Sequence, residues 1–109
     1  MSCEISVMGE GRSSLVGELC VFHAAELKPR LLTIATTDSD QEIDLAQVSE
    51  VDTAGVQLLL LAKREAARAG GRLSYVNHSD PVLEALALLN LAPDFGDPLL
   101  MPVDQGAAR

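Results

Sequence analysis

The sequence predicts a single α/β domain, a mixed β-sheet with helices packed on it, and three observations lead there. Strand-like and helix-like segments alternate along the chain, the pattern of helices layered on a sheet. With 109 residues, 48% of them apolar, the chain has the size of one compact domain and enough apolar material for a core without cross-links. A short polar elbow, Asp52-Thr53-Ala54-Gly55, separates an apolar strand-like run from a helix. The domain is read as residues 1–109, with a core over about 4–103 and a frayed tail over 104–109.

Taken in order, Ile5–Met8 and Leu15–Val21 are expected to be strands around a Gly9-Glu10-Gly11-Arg12 turn, whose glycines are a hairpin signal. Ala24, Leu27, Leu31, Leu32 and Ala35 recur at helical spacing, which predicts a helix over Ala24–Ala35. Pro29 falls inside that pattern, either in the first turns or at a bend. Thr36–Asp40 is a polar loop, and Glu42–Leu45 begins a strand inside the sheet. Asp80-Pro81 supplies an N-cap followed by Pro at the first helical position, opening a helix through Leu89. Beyond Pro93 the run Asp94-Phe95-Gly96-Asp97-Pro98 is turn-rich, and Leu99–Val103 reads as an edge strand.

The elbow carries most of the chemistry. Side chains of Asp and Thr accept hydrogen bonds from the unpaired N–H groups of a first helical turn, so either Asp52 or Thr53 suits the N-cap. Gly55 permits close approach of another backbone. A hydroxyl at a helix N-terminus is also a favourable place for a phosphate, because free N–H groups and the positive end of the helix dipole attract an anion. Phosphorylation would add roughly −1.5 to −2 charges beside the Asp52 carboxylate, so a partner that accepts the bare loop would be repelled by the modified one. By residue type alone, an Asp-Thr pair opening a helix is first of all a cap. In the helix that follows, steps of about 100° per residue gather Gly55, Leu58, Leu59, Ala62, Ala66 and Ala69 into a core stripe. Val56 and Leu60 then fall on the far side with Gln57 and Arg64, which predicts an exposed apolar docking surface; the competing reading is a helix rolled so that Leu60 is partly buried at the sheet margin.

Read together, these segments resemble the STAS family, the fold of bacterial anti-sigma factor antagonists. The resemblance rests on Asp44-Leu45 and Val48 leading to Asp52, then Thr53, a small residue and Gly55. Gly17-Glu18-Leu19 followed by His23-Ala24-Ala25-Glu26-Leu27-Lys28 is similar to the family's second strand and first helix. Gly70–Val76 is similar to the strand after the signature helix, and Ser79–Leu91 to the next helix.

The resemblance implies that Thr53 is a phosphoacceptor and that Asp52, Ala54, Gly55, Val56, Gln57, Leu60, Cys20 and His23 contribute to a partner surface. It further implies that the unphosphorylated form binds an anti-sigma factor or related serine/threonine kinase, that phosphorylation releases it, and that a phosphatase resets it. ATP and Mg belong to that partner, and no cofactor or metal is expected on this chain. The sequence departs from the family where many members carry Asp and this chain has Cys20, and where Thr is common and it has His23. Thr53-Ala54 stands where sporulation-type members have two serines. That wording also resembles the small STAS subunit of bacterial phospholipid-transport ABC complexes, whose Thr loop contacts an ATPase, and this is the alternative reading.

Composition narrows the rest. Net charge is −8, and eight basic residues are spread thinly along the chain, so the clustered basic footprint of a nucleic-acid binder is missing. An acidic surface suits docking on a basic patch, and equally suits solubility. No apolar run approaches the ~18 residues of a membrane span and no signal-peptide layout opens the chain, so a cytoplasmic protein without membrane insertion is expected. Cys3 and Cys20 lie on opposite sides of the hairpin turn without metal-like spacing and are expected to be reduced structural residues. Neither His23 nor His78 has a partner spaced for metal binding, and no nucleophile elbow or phosphate-cradling loop is present, so no enzymatic activity is expected. Asp44 and Asp52 read as a strand residue and a cap rather than an acid/base pair.

Overall fold

Strands β1 (Cys3–Gly9) and β2 (Arg12–Leu19) form the expected hairpin in the computed structural model, which describes residues 3–37 and 39–89. Gly9 pairs with Arg12 across the turn, and Gly11 takes φ of 74°, a conformation that disfavours any residue with a Cβ. Helix α1 (Val21–Ala35) connects β2 to strand β3 (Asp40–Val51), and helix α2 (Thr53–Arg68) connects β3 to strand β4 (Arg72–Val76). Helix α3 (Asp80–Leu88) follows. The sheet order is β1-β2-β3-β4. The first pair is antiparallel and the other two are parallel, so the sheet is mixed as predicted.

Two parallel crossovers that step the same way across a sheet put their helices on the same face, and α1 and α2 do pack directly on one another. Strand alternation shows where the core lies. Leu15 and Leu19 of β2, Ile43, Leu45 and Val48 of β3, and Leu73 and Tyr75 of β4 are buried against Leu27, Leu31, Leu59, Val82 and Leu86 from the helices. The Tyr75 hydroxyl donates to the Leu59 carbonyl at 2.7 Å, which satisfies the polar end of an otherwise apolar wedge.

Several boundaries differ from the sequence reading. Strand β2 starts at Arg12, taking in Ser13 and Ser14, which pair with both β1 and β3, and it ends at Leu19, so Val21 opens α1 instead of closing a strand. Pro29 lies in the middle of α1 without ending it. Both Pro29 and Ala25, whose carbonyl loses its helical partner, are exposed, so the unpaired carbonyl lies on the solvent side of the helix, where its loss costs least. Strand β3 runs twelve residues through Val51, well beyond the predicted start. At α3 the N-cap is Ser79, with Asp80 in the first turn and Pro81 beside it, one residue earlier than predicted. The segments read as a turn-rich run, an edge strand over Leu99–Val103 and a tail lie outside the described residues.

Candidate functional site

Strand β3 delivers the elbow to the end of the sheet. The chain leaves Val51, turns through Asp52 in an extended conformation (φ −116°, ψ −174°) and enters α2 at Thr53. Asp52 is the N-cap: its Oδ1 accepts from the Gly55 N–H at 3.0 Å, and its backbone carbonyl accepts from Val56 at 3.0 Å. Its second oxygen, Oδ2, accepts from the N–H of Val21 at 3.0 Å, and Val21 is the first residue of α1. One carboxylate therefore serves the N-termini of two helices, where dipole and unpaired N–H groups both favour negative charge. The Asp52 N–H completes the junction by donating to the Leu19 carbonyl at 3.2 Å.

Thr53 is exposed at the first position of α2. The N–H groups of Thr53 and Ala54 precede the first intrahelical bond, and no acidic residue occupies that first turn. Ala54 is half-buried and Gln57 exposed. Gly55 is buried, and a Cβ built there would collide with the Leu19 carbonyl oxygen and approach Leu19 Cγ at 2.8 Å and Val51 Cγ2 at 2.9 Å. The close approach that glycine permits is thus made by the protein's own β2, and Gly55 is not open to another chain.

The predicted apolar docking face of α2 is corrected by the structure. Val56 is 0% exposed and Leu60 6%, so both belong to the core with Leu58, Leu59, Ala62 and Ala66. The reason is crowding: α2 touches α1, β3, β4 and α3, so more than one face of the helix is covered. A single stripe describes a helix lying on a sheet at its margin, whereas α2 lies between two other helices.

Cys20 and His23 lie at the start of α1, on either side of the residue that Asp52 binds. Cys20 is the N-cap of α1 in an extended conformation, its thiol making no capping bond, and His23 sits one turn into the helix. Both flank Val21, the residue bound to Asp52. The residue types missed from the sequence are Val21 and Phe22, 57% and 83% exposed at the start of α1. Reading Val21 as the end of a strand hid this apolar pair, which a helix start at Cys20 would have placed beyond the core. His23 Nε2 lies 3.9 Å from Glu18 Oε1, and donor atoms of Glu18, Cys20 and His23 all fall within 4.8 Å of one another, a convergence the sequence reading did not expect.

The other carboxylate raised as a partner to Asp52 is far away. Asp44 lies eight residues earlier along β3, roughly 25 Å at strand rise. There it accepts from the Ala46 N–H at 2.7 Å and the Asn77 side chain at 2.8 Å, holding the β4–α3 connection. Burial and the neighbouring Cys20 and Glu4 push the Cys3 thiol up to about 11, and both cysteines are unpaired thiols. No helix among the described residues is long and apolar enough to cross a membrane.

Comparisons with known proteins agree with this architecture. A family model described as "Mlab, STAS domain" matches residues 9–100. The fold is similar to that of the anti-sigma factor antagonist SpoIIAA in its unphosphorylated form, with a TM-score of 0.65 at 18% identity over 98% of this chain and 97% of that one. The phosphorylated form of the Bacillus cell fate determinant SpoIIAA gives 0.61 at 17% identity, over 96% and 98% of the two chains. A putative anti-sigma factor antagonist from Thermotoga maritima, tm1081, gives 0.67 at 16% identity, over 98% and 95%. No curated protein matches the chain.

Proposed function

The chain belongs to the STAS domain family, and from that premise we propose that it is a non-catalytic, phosphorylation-switched binding protein of the anti-sigma factor antagonist kind. Its unphosphorylated form binds an anti-sigma factor or a related serine/threonine kinase, and phosphorylation at Thr53 releases it. The observation that carries this reading is the exposed Thr53 hydroxyl at the first position of α2, one residue from a carboxylate already bound to two helix N-termini. A phosphoryl group there gains the N–H groups of the first turn but stands against Asp52, so a docked surface meets about two added negative charges. Val21 and Phe22 supply exposed apolar area beside the same loop, the composition expected at the centre of a contact. ATP and Mg would be held by the partner kinase, and a phosphatase would restore the binding form.

The test is a partner titration with two substitutions. Thr53→Ala removes the acceptor and leaves charge unchanged, so it should bind and resist phosphorylation, whereas Thr53→Glu should bind at least about tenfold more weakly. Equal binding by both sinks the switch. A second reading, a STAS subunit of a phospholipid-transport ABC complex contacting its ATPase through the Thr53 loop, is favoured by the Thr53-Ala54 wording. Under that reading Thr53→Ala should weaken ATPase binding, and no phosphoryl mass should appear on Thr53 in protein recovered from its own cells.

A further inference from the structure

The sequence Glu18-x-Cys20-x-x-His23 joins two kinds of local geometry. From Leu19 to Cys20 the backbone stays extended, Cys20 having φ of −133° and ψ of 176°. Side chains two apart in an extended segment share one side, so Glu18 and Cys20 point together while Leu19 between them is buried in the core. From Cys20 onward the chain is helical. A side chain at the N-cap and one three residues later meet over the first turn, as they do in a capping box, so Cys20 and His23 also converge. The outcome is a thiol, an imidazole and a carboxylate whose donor atoms all lie within 4.8 Å of one another.

Among the described residues, these atoms make few other strong contacts. The Cys20 thiol makes no capping bond, and the His23 to Glu18 contact is long, at 3.9 Å. All three residues are half-buried, which restricts their rotamers while leaving a path for an ion. A chain of net charge −8 attracts cations.

We propose that Glu18, Cys20 and His23 form a binding site for a divalent late-transition-metal ion of the zinc class. Sulfur, nitrogen and oxygen donors in one set suit zinc and disfavour magnesium and calcium, which take oxygen alone. Tetrahedral zinc at about 2.0–2.3 Å from each donor needs the three atoms drawn in by about an ångström, within reach of side-chain rotation. Three protein ligands leave the fourth position to water. Cys3 stays outside the set, since its donor atom does not join the cluster. The proposal is independent of the phosphorylation reading, since it rests on β2 and the first turn of α1 alone.

The test uses the reduced full chain titrated with Co(II), followed by competition with Zn(II). One equivalent of Co(II) should bind with a thiolate-to-metal charge-transfer band in the near ultraviolet, and Zn(II) should displace it. Cys20→Ser should abolish the band, Cys3→Ser should leave it unchanged, and His23→Ala and Glu18→Gln should each weaken binding at least about tenfold. Serine is a better N-cap than cysteine, so Cys20→Ser remains folded by circular dichroism and its loss of signal is interpretable. Absence of binding by the wild type overturns the site. So does a band that survives Cys20→Ser, one lost in Cys3→Ser, indifference to both His23→Ala and Glu18→Gln, or a stoichiometry of one ion per two chains.

Discussion

Replacing Asp52 with asparagine separates a double cap from a single one. At an ordinary N-cap the two residues are nearly equivalent, because one side-chain oxygen accepting one N–H suffices. Here each carboxylate oxygen has its own donor, Gly55 N for one and Val21 N for the other, both at 3.0 Å. An amide can keep one of these bonds but turns its own NH2 toward the second N–H, donor against donor. Hydrogen bonds to charged groups contribute about 1.5–3 kcal/mol, and the exposed Val21 bond belongs at the low end because water can replace it. Asp52→Asn should therefore cost about 1–2 kcal/mol. Asp52→Ala, which loses both bonds and the charge at two helix dipoles, should cost about 2–3 kcal/mol. For a domain of this size the larger loss corresponds to a drop in Tm of roughly 8–20 °C. Urea and thermal denaturation of the three proteins measure both numbers. If Asp52→Asn denatures with the wild type while Asp52→Ala loses about 1 kcal/mol, the residue caps only α2 and the link to α1 is wrong.

Four further substitutions follow from burial. Gly55→Ala, which in an exposed helix interior would stabilise by up to about 1 kcal/mol, should here destabilise by at least about 1–3 kcal/mol because its methyl meets the Leu19 carbonyl; denaturation midpoints decide the sign. Leu59→Ala and Leu60→Ala should each cost about 2–5 kcal/mol, since the two are 0% and 6% exposed, and a Leu60 variant that melts like wild type would restore the docking face on α2. Cys3 holds its proton up to about 11 when folded, against 9.0 for an ordinary thiol. The folded state thus binds more protons across that window, so stability falls as pH rises from 9.0 to about 11. Cys3→Ala should flatten that part of the stability curve in matched denaturant titrations.

Much of the fold could be read along the chain because each signal was local. The glycines of the hairpin, the helical spacing from Ala24 to Ala35 and the elbow at Asp52 each announce an element by its own chemistry. What escaped depends on neighbours that are distant in sequence. Helical phase gave a direction for α2 but not the number of elements around it, so Val56 and Leu60 were assigned to solvent when α1 and α3 cover them. Gly55 signalled a close approach without saying whose backbone approaches, and the answer, Leu19, lies 36 residues away. The Glu18, Cys20 and His23 convergence was hidden by a boundary error of a few residues. With Val21 in a strand, Cys20 and His23 have no shared turn, and only an N-cap at Cys20 brings them together.

The contact between Gly55 and Leu19 also limits how a signal can leave this elbow. A backbone seated against a carbonyl with no room for a methyl has nowhere to shift, so whatever chemistry reaches Thr53 acts on a fixed anvil. Under the proposed switch, the message would then travel outward through the field above the surface rather than inward through a moving hinge. Such a field is short-ranged, about 8 Å at physiological salt. Any partner that discriminates between two states of Thr53 must do so with groups seated almost on the hydroxyl, and its discrimination must fade as ionic strength rises.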